Sequence, residues 1–354
     1  MLERSSLTRP TRVCIVDDTR SVRALIRSML SASPRIEIVG EAGDPYEART
    51  LIRSTNPDVI TLDVVMPRMS GLEFLEKLMK LRPMPVVMVS TRTTEKSNEA
   101  VKALALGAVE CVDLGQLRKQ NRATDLIDTV LMAANSNVRS RRPAPIVVGD
   151  APVAPPFRWN GKVVAIGSST GGVDALLTVL ATFPRDCPPT LIAQHMPATF
   201  LESFASRLNK NCQPDVRLAT DGAALAPGKV MLAPGGDHHT RFARHDRLRV
   251  EHVPSDGTEP YVPAVNQLFL SARPHAPQMV SVILTGMGRD GADAMLVLRE
   301  AGAYTLAQDS GSSVIDGMPR AARNLGAAVD VATLSEIGPR ILAQTARTSE
   351  ERVT

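Results

Sequence analysis

The feature that most constrains the fold is an alternation of short apolar runs with stretches of helical period, and it occurs in two blocks. From Val13 to about Val112 the runs VCIV, IEIV, VITL, PVVMVS and AVECV are separated by helical patterns that begin at Ser21, near Glu47, at Gly71 and at Ser97. Strands interleaved with helices predict a parallel sheet covered on both faces. A further helix is expected over 126–133. The stretch NSNVRSRRPAPIVVGDAPVAPPFRWN, spanning 135–160, is rich in Pro and Arg and has no sustained period, so it reads as a linker. A second α/β pattern starts at Lys162, with strands KVVAIG, TLIAQ, KVMLA, LRVEHV, MVSVILT and YTLAQ and helices near Val173, Phe200, Ala264, Ala292 and Met318. Strand-like pieces with turn residues between Asp215 and Ser255 predict an antiparallel excursion within this mostly parallel, doubly wound α/β domain.

A chain of 354 residues suits two domains, and 44% apolar with 22% charged residues excludes wholesale disorder. Aromatic residues make up only 3%, too few for platforms that stack single-stranded nucleic acid. The net charge of +4 owes much to Arg139, Arg141, Arg142 and the termini, which describes a solvated basic linker rather than a DNA-binding face. Cys14, Cys111, Cys187 and Cys212 are widely spaced, with no CxxC pair, as expected for reduced, mostly buried thiols. The opening MLERSSLTRP lacks an apolar segment, and no run approaches the roughly 18 apolar residues of a membrane span. A cytoplasmic protein without membrane insertion is expected.

Asp17 and Asp18 follow the first strand, and Asp63 ends the third in VITLDVVMP. The carboxyl ends of parallel strands share one edge, so the three acids are expected to converge there. Clustered carboxylates repel unless a cation neutralises them, and oxygen ligands favour Mg2+. Taken singly, each acid also fits a helix cap or a surface turn; the DD pair together with LDxxMP does not. On these residues the segment 11–133 resembles the receiver domain of response regulators. That resemblance implies a flavodoxin-like, five-stranded sheet of order 2-1-3-4-5, Asp63 as phosphoacceptor, Asp17, Asp18 and the Val65 carbonyl as further Mg2+ ligands, and Ser90 as the switch hydroxyl. The family ends its fifth strand with a Lys-Pro pair that contacts the phosphoryl group. Here GAVECVDLG puts Leu114 and Gly115 at that place, and Leu supplies no cation.

In the second block AIGSSTGG lies between a strand and a helix, and Gly167, Ser169 and Gly171 satisfy G-x-S-x-G. A serine on a tight strand-to-helix turn projects its hydroxyl above the sheet, beside backbone N–H groups that face an oxyanion. A phosphate loop is the competing reading, but no P-loop Lys follows and the spacing does not fit GxGxxG. The hydroxyl needs a base, and the base an orienting acid. His195 stands just beyond TLIAQ and Asp290 beyond MVSVILTGMG, on the sheet edge expected for Ser169; Asp309, after YTLAQ, and Asp237, after KVMLA, are rival acids.

The segment 161–346 resembles the catalytic domain of chemotaxis protein-glutamate methylesterases, the CheB family, through IGSSTGG, QHMP, RLNK, APGG, ILTGMGRDGA, AGAYTLAQD and GMPRAA. The resemblance selects Ser169, His195 and Asp290 as the triad. Backbone N–H groups near Ser169 and Thr170 are assigned to the oxyanion, and Met287 to packing or backbone support. The resemblance implies hydrolysis of glutamate γ-methyl esters on chemoreceptors, deamidation of receptor glutamines, no cofactor for hydrolysis, a histidine kinase as phosphodonor, and relief of a receiver-imposed block on phosphorylation. Residues 134–160 are then the linker and 347–354 a tail. Where the family carries His-Arg-Pro-Ser-Val-Asp, this chain reads Tyr261, Val262, Pro263, Ala264, Val265, Asn266, a departure that bears on substrate affinity and the surroundings of the cleft. A non-catalytic scaffold that binds receptors or kinases is the alternative function. A DNA-binding regulator ranks last, because the second block is too long and sheet-rich for a helix-turn-helix output. Asp237, His238 and His239 lack further metal ligands and read as a polar loop, and Trp159 as a packing anchor.

Overall fold

The computed structural model describes residues 9–90, 97–115, 123–138 and 156–347. The Ser90 side chain, most of the linker and residues 348–354 of the tail lie outside the described residues. The chain divides into two compact units between Arg141 and Arg142. Among the described residues no helix is long and apolar enough to cross a membrane.

The first unit runs β1 (Thr11–Val16), α1 (Arg20–Leu30), β2 (Ile36–Ala42), α2 (Pro45–Thr55), β3 (Val59–Asp63), α3 (Gly71–Leu81), β4 (Val86–Ser90), α4 (Ser97–Ala105), β5 (Glu110–Asp113) and α5 (Ala123–Ala134). Its five strands pair in the order β2-β1-β3-β4-β5, all parallel. Every residue of β3 is buried, which is why this central strand reads as an apolar run rather than as an alternation. Helix starts are written locally. Asp44 accepts the N–H groups of Tyr46 and Glu47 ahead of α2, and Ser70 and Glu73 form a reciprocal capping box on α3. The strand order reverses between β1 and β3, so the crevice beyond their carboxyl ends opens there.

The second unit contains β6 (Val163–Ser168), α6 (Gly172–Leu180), β7 (Thr190–Gln194), α7 (Ala198–Asn211), β8 (Asp215–Leu218), β9 (Lys229–Leu232), β10 (His238–Ala243) and β11 (Asp246–Pro254). It continues through α8 (Val265–Ser271), a 3-10 turn (Arg273–Gln278), β12 (Met279–Ile283), α9 (Ala292–Glu300), β13 (Tyr304–Gln308), α10 (Met318–Asn324), β14 (Asp330–Ala332) and α11 (Leu334–Thr345). Seven parallel strands pair as β14-β13-β12-β6-β7-β9-β8, and β10 with β11 forms a separate antiparallel pair, so the excursion expected between Asp215 and Ser255 is confined to its second half, while β8 and β9 of its first half join the parallel sheet. β8 and β14 are four and three residues long, too short to carry a periodic signal.

β6 has β7 on one side and β12 on the other, so the chain winds outward in both directions from it. This is the switch point at which a parallel sheet opens a crevice. The core beneath one face is aliphatic, with Val163, Leu191, Met279, Ile283 and Leu298 packed around Phe269 of α8. Phe269 is fully buried, and its helix begins at the crevice. Phe269→Ala is expected to cost about 3–5 kcal/mol of stability, read as a lower urea midpoint for the second unit; an unchanged midpoint would contradict the packing described.

Candidate active site

Ser169 follows β6 directly. Gly171, at φ 81°, takes the left-handed conformation that turns the chain into α6, a geometry that costs a β-carbon dearly and glycine little. The turn is clamped by Gln194, the last residue of β7. Its Nε2 donates to the carbonyls of Ser169 (2.9 Å) and His195 (3.0 Å), and its Oε1 accepts from Ser168 Oγ (2.6 Å). The side chains of Ser168 and Gln194 are buried, so each bond replaces water that is excluded.

The structure brings His195 and Asp290 together: Nε2 and Oδ2 are 2.7 Å apart, and each side chain is only 5% exposed. Asp290 also accepts Val265 N–H at Oδ2 (2.7 Å) and Asn266 N–H at Oδ1 (2.9 Å). Burial pushes the Asp290 carboxyl up, but hydrogen bonding and charge attraction from His195, with the two backbone N–H groups, outweigh it and hold the acid below its ordinary value. With Nε2 engaged by the carboxylate, Nδ1 is the imidazole nitrogen left to exchange a proton. Among the described residues it is buried and has no hydrogen-bond partner.

Thr285 and Gly286 close the site from β12. Thr285 Oγ1 donates to Thr170 O at 3.0 Å, and Gly286 N–H donates to Ile315 O at 3.0 Å. A β-carbon on Gly286 would come within 2.7 Å of Ser169 Cβ, so this backbone passes directly against the serine. The Ser169 N–H, one of the groups expected near an oxyanion, is spent on Thr285 O at 3.0 Å. Met287, next in the chain, is 43% exposed.

The rival acids have other partners. Asp309 Oδ1 accepts from Ser312, and Asp237 is an exposed partner of His238. The four cysteines are free, and burial pushes the thiols of Cys14 and Cys187 up to about 12 and that of Cys212 to about 11, far from nucleophilic use.

In the first unit the carboxylate oxygens of Asp17, Asp18 and Asp63 lie within 4.8 Å of one another. Burial first, then the charges of Asp63 and Asp18, push Asp17 up to about 6, against the pull of the Thr19 N–H and Arg23. Such a cluster is short of positive charge, and its all-oxygen donor set fits a hard divalent cation. Val65 sits beside it, 50% exposed.

Comparison with known proteins accounts for both units. A CheB methylesterase family model matches residues 164–341, and a response regulator receiver domain model matches residues 13–130. The protein-glutamate methylesterase/protein-glutamine glutaminase 1 of Caulobacter vibrioides is 48% identical over 339 residues, 94% of this chain and 97% of the relative. The chain belongs to the CheB methylesterase family. A second relative of the same description, from Rhizobium johnstonii, is 47% identical over 97% of this chain and 99% of its own length. The crystal structure of the Thermotoga maritima CheB methylesterase catalytic domain, 32% identical, covers 52% of this chain and 100% of that domain with a TM-score of 0.50.

This CheB-family chain departs from the family pattern at places the structure makes physical. Leu114, in the position of the receiver Lys, is 2% exposed, an apolar side chain buried just beyond β5. Asn266, where the pattern has Asp, accepts Gly291 N–H at Oδ1 (3.0 Å), so an uncharged amide does this bonding without a second carboxylate beside Asp290. Tyr261, where the pattern has His, stacks on His195. Gln194, Thr285 and the N–H groups of Val265 and Asn266 were not singled out in the sequence; only the Gln of QHMP left a trace there.

The raised Asp17 has a definite pH consequence. The folded receiver holds a proton at about pH 6 that an unfolded chain releases near its ordinary 3.8, so stability falls as pH rises through that window. In chelator at pH 7.5, Asp17→Asn is expected to melt at a higher temperature than wild type, with the gap closing below about pH 4. Mg2+ should raise the wild-type melting temperature more than that of the variant. A variant no more stable than wild type at pH 7.5 would contradict the crowding of charge.

Proposed function

We propose that the second unit hydrolyses glutamate γ-methyl esters on chemoreceptors through Ser169, His195 and Asp290, and deamidates receptor glutamines at the same site. The observation that carries this reading is the buried His195–Asp290 pair on the crevice edge that also bears Ser169. The activity named for full-length relatives supplies the substrate class.

Ser169 Oγ attacks the ester carbonyl while its proton passes to His195 Nδ1. The Nε2–H tautomer needed for that transfer is the one Asp290 holds, and the imidazolium that forms remains paired with its carboxylate. The charge on the carbonyl oxygen faces backbone N–H groups near Thr170 and Met287; the Ser169 N–H is bonded to Thr285 O. His195 returns the proton to the departing methanol, or to ammonia when glutamine is the substrate. Water then attacks the acyl-enzyme, losing its proton to His195, and Ser169 is released with glutamate as product.

In the first unit Asp63 is the phosphoacceptor for a histidine kinase. Asp17, Asp18, Asp63 and the Val65 carbonyl would hold Mg2+, which would offset negative charge at the incoming phosphoryl group. Ser90 acts as the switch hydroxyl, and the reading places the protein in the cytoplasm. Leu114 removes one usual cation from this relay, so phosphorylation at Asp63 is expected to be intact while its effect on hydrolysis is weak.

Methanol release from methyl-labelled receptor membranes tests the esterase. Wild type is expected to release methanol and Ser169→Ala to lose at least roughly a thousandfold of that rate; a variant as active as wild type would refute the serine mechanism. Incubation with a small phosphodonor and Mg2+ should add the mass of one phosphoryl group to wild type and none to Asp63→Asn. An unmodified wild type would remove Asp63 from the account.

A further inference from the structure

Between β11 and α8 the chain runs along the crevice, and the start of α8 holds Asp290 by two backbone N–H groups, those of Val265 and Asn266. One residue earlier, Ala264 N–H donates to Nδ1 of the buried His239 at 3.3 Å. The Asn266 side chain ties the same segment to Gly291, next to Asp290. At the start of this braced stretch the Tyr261 ring lies on His195, with centroids 4.1 Å apart and planes 17° from parallel. Tyr261 is 40% exposed, so its ring stands between the imidazole and the outside of the site.

His195 is therefore held along an edge by Asp290, which the start of α8 anchors, and over a face by Tyr261 of the chain that leads into that helix. Asp290 fixes the Nε2 edge and thereby one direction in the ring plane. A single hydrogen bond leaves rotation about its own axis free, and that rotation would move Nδ1, the nitrogen that the proposed proton transfer needs aligned with the Ser169 hydroxyl. A stacked ring opposes it. An aromatic face also attracts a cation, so the stack favours the imidazolium that forms when the serine proton is taken.

We propose that Tyr261 is a positioning residue for hydrolysis, its ring stacked on His195 to keep Nδ1 directed at Ser169 and to favour the transient imidazolium. The proposal rests on the reading of His195 as the general base. The contribution comes from the aromatic ring and not from the phenol hydroxyl. It belongs to the chemical step, so it acts on kcat for any ester that reaches Ser169.

The test compares wild type, Tyr261→Phe, Tyr261→Ala and Tyr261→Leu in the full chain, on methylated receptor membranes and on the small activated ester p-nitrophenyl acetate. An aromatic contact of this kind corresponds to roughly twofold to tenfold in rate. Ala and Leu are expected to lose that factor in kcat on both esters, with KM within about twofold, and Phe to restore it. Tyr261 is partly exposed, so the variants should share the wild-type melting temperature. If Ala alone is destabilised, the Leu and Phe pair decides the outcome. A raised KM for receptor with unchanged kcat would overturn the proposal and make Tyr261 a receptor contact. A Phe variant as slow as Ala would overturn it in favour of the hydroxyl. Wild type inert on both esters would instead defeat the esterase reading, a distinct result.

Discussion

Asp290 is the carboxylate on which the geometry of the site depends, because three separate parts of the second unit meet at it. The end of β7 contributes His195, the start of α8 contributes two backbone N–H groups, and the acid itself lies beyond β12. Removing a buried carboxylate from water is costly unless its lone pairs are used, and here they are used by groups that the site needs in place. The carboxylate holds the imidazole edge and the helix start in one arrangement. Gln194 does the corresponding work on the other side of the site, where one amide spans the carbonyls of Ser169 and His195. The serine is thus fixed through its backbone, and the histidine through its backbone and its side chain.

Much of this was legible from strand ends. The rule that chemistry gathers beyond the carboxyl ends of parallel strands directed attention to Ser169, His195, Asp290, Asp17 and Asp63, because each follows or ends an apolar run that reads as a strand. It could not rank Asp290 over Asp309, since both follow strands of the same sheet; what separates them is that β12 is a direct neighbour of β6 and β13 is not. The roles of Tyr261, Thr285 and the N–H groups of Val265 and Asn266 were illegible for a different reason. They depend on contacts between residues far apart in the chain, and a backbone N–H has no identity in a sequence. The bonding of Ser169 N–H to Thr285 is of the same kind.

The two units apply one topological rule to different chemistry. In the first, three acids crowd the reversal between β1 and β3 and lift Asp17 toward neutrality, an arrangement that calls for a cation. In the second, a single acid at the reversal between β6 and β12 is surrounded by donors and stays ionised. Three crowded carboxylates suit a hard cation, even with local N–H and hydroxyl donors on them; one carboxylate with three donors holds a histidine in place. Beyond β5, where the receiver pattern has Lys, Leu114 is a buried aliphatic side chain, and the three acids themselves are present.

The proposed hydrolysis rests on Ser169 as the nucleophile whose proton His195 takes. Its most direct measurement is the site of covalent capture by a fluorophosphonate, mapped by peptide mass spectrometry in wild type and in His195→Gln. One adduct is expected, on the peptide containing Ser169, formed far more slowly in the histidine variant. Capture at another residue, or capture at Ser169 at the same rate without His195, would contradict it.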